Sequence, residues 1–168
     1  ATHSVIIETM IYTDRLLSNP DYLELLAEIE QAEQERIFCG HDLNHLMDVA
    51  RIGRIINCEE GMGLAADDIY LVALLHDLGR LQQYKDGTPH DQGGVAVAAS
   101  FLQAIAYPEE RRADILQAVS GHRREREAES LLTELIRKAD KLSRPCFNCP
   151  ARTECKWPES RKNKSFRY

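Results

Sequence analysis

The pair His76-Asp77 lies inside an otherwise apolar run, Leu71-Val72-Ala73-Leu74-Leu75-His76-Asp77-Leu78-Gly79, and no other feature constrains the chain as much. A helix that is apolar on most sides must bury whatever it carries. A buried carboxylate is costly unless a cation or hydrogen-bond donors compensate it. Three further histidines and one aspartate stand in comparable settings: His45, His90, His122 and Asp140. The simplest joint explanation is a polynuclear metal site built inside a helical bundle.

A chain of 168 residues fits one domain, or a domain with a short appendage. That length buries about two-thirds of the unfolded surface, enough for a self-sufficient core. The net charge of −6 argues against a basic nucleic-acid stripe, so no nucleic-acid polymer is expected as a partner. No apolar run approaches the ~20 residues of a membrane span, and no secretory signal pattern opens the chain. Five cysteines leave one unpaired in any disulfide scheme. Three of them, Cys146, Cys149 and Cys155, sit at metal-ligand spacing, which suits a reducing cytoplasm better than a secreted scaffold.

The pattern is helical almost throughout. Thr2 is a cap for a helix to about residue 17, and Asn19-Pro20 reads as N-cap and N1 of a second helix to about residue 36. Leu46, Val49, Ile52, Gly53 and Ile56 mark a third helix after a break at Phe38-Cys39-Gly40. A fourth helix is expected from Asp67-Asp68 to near Tyr84, carrying His76-Asp77 without interruption. His90 then precedes a fifth over residues 96–106, Pro108 opens a sixth that ends near His122, and residues 130–143 form a seventh. From Pro145 onward the composition turns to Pro, Cys, Lys, Arg and Asn, and an irregular tail is expected. No segment alternates like a strand, so the fold class is all-α.

Helical register points the ionisable groups inward. His45 shares a stripe with Val49, Ile52 and Ile56; His76 with Val72 and Gly79; His122 with Ile115 and Val119; Asp140 with Leu132 and Ile136. A single inward histidine is usually a hydrogen-bonded core residue. Four helices doing the same thing at once call for a common cause.

In this order the residues resemble a known family. His45, His76-Asp77, His90, His122 and Asp140 follow the pattern of the HD-domain superfamily of metal-dependent phosphohydrolases. Gly40-His41-Asp42-Leu43-Asn44-His45 and Ala73-Leu74-Leu75-His76-Asp77-Leu78-Gly79-Arg80 look like its first two signature blocks. His90 followed by Gly93, Gly94 and Ala98 resembles the third, and Ala139-Asp140-Lys141 the last. The resemblance implies an all-α HD-domain bundle over residues 38–144, N-terminal helices at 1–37 packing on it, and a Cys-containing C-terminal tail at 145–168. It further implies that His45, His76, Asp77 and Asp140 hold one metal. His90 and His122 would hold a second, with Asp77 bridging. The donor set suits Mn, Fe, Co, Ni or Zn. The implied reaction is hydrolysis of a nucleotide or other small phosphate ester by a metal-activated water. Two alternatives are an HD-fold di-iron oxygenase and a non-catalytic metal or nucleotide sensor. The expected partner is a small phosphorylated substrate, with no membrane and with the oligomeric state open.

Several flanking residues have two readings. Arg80, one turn past His76, either clamps a substrate phosphate or forms an ion pair. Lys141 either reaches the phosphate or leaving group or lies at the surface. Asp42 either caps a helix or, like His41, orients a ligand imidazole. Arg123, Arg124 and Arg126 form a positive rim or, interleaved with Glu125, Glu127 and Glu129, a solvated loop. In the tail, Cys146-Phe147-Asn148-Cys149 is a CxxC with Cys155 following. Cys39 could supply a fourth thiolate for zinc or an iron–sulfur cluster if the tail folds back. Cys58 is the alternative fourth ligand, although at the end of a helix it reads more simply as core.

Overall fold

The structure, a computed structural model, describes residues 9–123 and 130–168. Among them the chain forms eight α-helices and one short 3-10 turn. They are α1 (Ile11–Leu17), α2 (Pro20–Ala32), α3 (Leu43–Glu59), α4 (Ala66–Leu75), α5 (Arg80–Asp86), α6 (His90–Ala104), α7 (Glu109–Gly121) and α8 (Leu131–Ser143). None is long and apolar enough to cross a membrane.

Local signals set most boundaries. Asn19 Oδ1 accepts from the Tyr22 amide at 3.1 Å, with Pro20 as the first helical residue. Asp42 caps α3 by accepting from the His45 amide at 2.9 Å, which settles its role as a cap. Ser130 caps α8 through the Thr133 amide at 3.2 Å. The proposed Thr2 cap falls outside the described residues. The α1 helix is anchored from α4 instead, because Asp67 accepts from the amides of Tyr12 at 3.0 Å and Thr13 at 2.8 Å. The second helix stops at Ala32, four residues short of the expectation. Glu33, just beyond it, turns its carboxylate onto His41.

The most apolar helix, α4, is the centre of the bundle. Leu71, Val72, Ala73, Leu74 and Leu75 are completely buried. Helices α1, α3, α7 and α8 pack around it. Gly53 lets α3 cross closely, since a Cβ there would lie 3.0 Å from Ile69 Cγ2 and 3.7 Å from Ala139 Cβ. From the second helix, the buried Tyr22 hydroxyl donates to the Leu74 carbonyl at 3.0 Å.

The expected continuous helix through His76-Asp77 is broken. It ends at Leu75, turns over residues 76–79, and restarts at Arg80. The turn packs closely enough to require glycine: a Cβ on Gly79 would lie 2.0 Å from the His90 carbonyl oxygen and 2.5 Å from the Gly94 amide nitrogen. The turn therefore seats against the first residues of α6, and His90 begins that helix rather than preceding it. A Gly79→Ala variant should lose about 1–3 kcal/mol of stability through this overpacking. Urea unfolding measures it, and an unchanged midpoint would mean that the two backbones do not meet.

Candidate metal centre

Six side chains converge at the broken helix: His45 from α3, His76 and Asp77 from the turn, His90 from the start of α6, His122 from the end of α7, and Asp140 from α8. They form two groups. The ligand atoms of His45, His76, Asp77 and Asp140 lie within 4.8 Å of one another, as do those of Asp77, His90 and His122. Asp77 belongs to both. Its Oδ2 is 3.0 Å from His76 Nε2 and 3.7 Å from His45 Nε2. Its Oδ1 is 3.3 Å from His90 Nε2 and 3.8 Å from His122 Nε2. Asp140 Oδ1 completes the first group, 3.2 Å from His45 Nε2.

The outward nitrogen of three of these imidazoles is already committed. Nδ1 of His76 donates to the Ala73 carbonyl and Nδ1 of His122 to the Val119 carbonyl, both at 2.6 Å. Nδ1 of His90 donates to Gln83 Oε1 at 3.0 Å, an oxygen that also accepts from Arg80 Nη1 at 3.2 Å. These bonds turn Nε2 inward in each ring. Nε2 of His76, His90 and His122 is buried without a hydrogen-bond partner. Buried polar atoms left unpaired are rare and need a reason. A divalent cation supplies one. The donor set is imidazole and carboxylate, and the rear nitrogens are held as metal-bound histidines usually are.

The charges agree. Burial pushes the Asp77 and Asp140 carboxyls up, yet contacts with His76 and His45 hold both well below the usual carboxylate range. Burial lowers His76, but Asp77 and Asp140 outweigh it and carry its pKa up to about 10. Burial and the Arg80 charge push His90 down to about 3; burial and His76 push His122 down to about 4.

A second positive group was not singled out by the sequence reading. Arg144, just past α8, is 6% exposed. Its Nη2 donates to Asp140 Oδ1 at 2.9 Å and lies 2.9 Å from His45 Nε2, and its Nη1 donates to the Gly40 carbonyl at 3.0 Å. The clue available was spacing: Asp140 and Arg144 are one turn apart. Lys141, expected at the site, is exposed. Successive helical residues point about 100° apart, so an inward Asp140 turns Lys141 outward. Arg80 takes the ion-pair reading: its Nε donates to Asp77 Oδ1 at 3.1 Å. His41 is buried behind Asp77, with Nε2 3.9 Å from Oδ2 and Nδ1 2.5 Å from Glu33 Oε1. Arg123 is exposed, with Nη1 3.3 Å from His90 Nδ1. Arg124 and Arg126 lie outside the described residues.

An all-α bundle with two His/Asp groups sharing one carboxylate defines a class of protein, and similarity to known sequences agrees with it. Residues 42–144 match the HD domain, and the chain belongs to that family. It is 38% identical to an uncharacterized protein of Clostridium beijerinckii, over 91% of this chain and 96% of that one. It is 26% identical over 129 residues to ribonuclease Y 1 of Pediococcus pentosaceus, a match that spans 74% of this chain but 22% of the relative. Among solved structures it resembles a predicted HD superfamily hydrolase from an uncultured Thermotogales bacterium. The TM-score is 0.62 and the identity 21%, with 89% of this chain and 86% of that chain covered.

Metal binding should displace the His76 proton. Affinity for a divalent transition metal should rise with pH across the neutral range, because His76 titrates near 10. Calorimetry in two buffers of different ionisation heat should show about one proton released per chain at pH 7–8. Metal binding without proton release would show that His76 is already neutral in the free site at that pH.

Proposed function

We propose that this chain is a metal-dependent phosphohydrolase acting on a nucleotide or another small phosphate ester. The observation that carries the reading is the shared carboxylate: each oxygen of buried Asp77 faces its own set of imidazoles, three of whose Nε2 atoms have no hydrogen-bond partner. A pair of divalent metal ions held there supplies an activated water and charge for a phosphoryl oxygen. His45, His76, Asp77 and Asp140 would hold one, and Asp77, His90 and His122 the other.

The chain's own residues provide orientation and charge. Gln83 and two backbone carbonyls fix the rotations of His90, His76 and His122. Arg80 holds Asp77 and Gln83 together, so it couples the bridging carboxylate to the His90 ring. The centre is most open at Asp140, whose side chain is 24% exposed, and at Arg80, 17% exposed. Two guanidinium groups, Arg80 and Arg144, border the centre, and a phosphate carries the charge that such groups bind. Ribonuclease Y acts, by its name, on RNA, and so supports phosphate-ester chemistry. The net charge of −6 favours a small substrate here.

The test is phosphate release from a panel of nucleotides, phosphomonoesters and phosphodiesters, using protein loaded with each candidate metal. Hydrolysis of at least one compound that depends on the metal is expected. No turnover with a filled centre, or dioxygen uptake with a redox-active spectrum, would contradict the reading. Asp77→Ala should lower kcat/KM by more than ~100-fold and strip metal. Arg80→Ala should keep its metal and lose roughly 10–100-fold in kcat/KM. Unchanged kinetics on the best substrate would remove Arg80 from the positioning role.

A further inference from the structure

The cysteine-bearing tail is not used by the proposed reaction, and the fold returns it to the start of α3. Arg144 Nη1 bonds the Gly40 carbonyl at 3.0 Å, joining the neighbours of Cys39 and Cys146 across more than a hundred residues of sequence. The chain then turns tightly. The Cys146 amide donates to the Arg144 carbonyl at 2.9 Å, a 3-10 turn spans Cys146–Asn148, and the Arg152 amide donates to the Cys149 carbonyl at 3.1 Å. Arg152 Nη1 reaches back to the Cys146 carbonyl at 2.8 Å. Asn163 Nδ2 ties the later tail to the end of α8, at 2.7 Å from the Lys141 carbonyl and 2.8 Å from that of Arg144. Buried Lys162 donates to the Arg152 carbonyl at 3.0 Å.

This segment is packed, and its thiols share one neighbourhood. Cys146 is buried, while Cys39, Cys149 and Cys155 are half-buried, and all are free of disulfides. After burial, the groups that act on the Cys39 thiol are Arg144, Cys146, Cys149 and Cys155. Cys58 is apart from them, exposed on α3 rather than in the core. Among the described residues the sets of three or more ligand atoms within 4.8 Å are the two His/Asp groups, so the thiols are gathered but stand wider than coordination needs. Four sulfurs at zinc bonding distance lie about 3.8 Å apart.

We propose that Cys39, Cys146, Cys149 and Cys155 form a second site, separate from the His/Asp centre, that closes on a zinc ion and clasps the tail to the entry of α3. Thiolates prefer a soft divalent ion, and four of them with a CxxC pair match a structural zinc site. The ion binds as each thiol gives up its proton to solvent. No redox step is involved.

The probe is zinc added to the full chain after removal of all metal under reducing, anaerobic conditions. A variant missing one ligand from each His/Asp group, H76A/H122A, should still bind an ion through thiolates: cobalt in place of zinc should show thiolate-to-cobalt charge-transfer absorption. Cys149→Ser in that background should lose the ion and the absorption, and proteolysis after Pro145 should quicken. Cys155→Ser, farther along the tail, should do the same if the first variant folds poorly. Absence of thiolate-to-cobalt absorption in the parent, equal zinc content in parent and cysteine variants, disulfides in the anaerobic protein, or an iron–sulfur spectrum would each overturn the assignment. None of these readouts depends on hydrolysis.

Discussion

The rest of the structure follows from one carboxylate buried almost completely inside the bundle. Asp77 is 2% exposed, at the end of the most apolar helix of the bundle. A charge in that position must be matched at short range or neutralised. The surrounding groups match it from both sides: His76 and His45 face one oxygen, His90, His122 and Arg80 the other. Burying that many polar groups makes little sense as a stabilising device, since well-packed apolar residues do as well or better. It makes sense as a binding site for positive charge.

The helices divide the work. The central helix α4 supplies burial through five consecutive fully buried residues, and through Asp67 it also anchors α1. The surrounding helices α3, α6, α7 and α8 each deliver one ligand to it. The turn at residues 76–79 lets one short segment serve both groups. A straight helix would carry His76 and Asp77 about 100° apart and aim them at different neighbours. At the end of the turn Gly79 packs against the α6 backbone beside His90.

Much of the site was legible because it depends on period and on residue chemistry. Inward histidines on apolar stripes and the caps at Asn19 and Asp42 are local features, and the structure keeps them. What was not legible depends on tertiary contact. Residues 67–84 have a helical pattern throughout, and the turn at 76–79 appears only in the folded chain, where Gly79 packs against α6. Lys141 drew attention by standing next to Asp140 in sequence, whereas register assigns the inward place one turn later, to Arg144. Gln83 carries no signal of its own, because its role exists only once α5 and α6 are folded together.

The central claim is that Asp77 is shared between two cation sites. Anomalous diffraction from crystals of the protein loaded with a divalent transition metal tests it directly. The account predicts two anomalous peaks, one beside each oxygen of Asp77, the first also contacting His45, His76 and Asp140 and the second His90 and His122. A single peak, or two peaks of which neither touches Asp77, would contradict it.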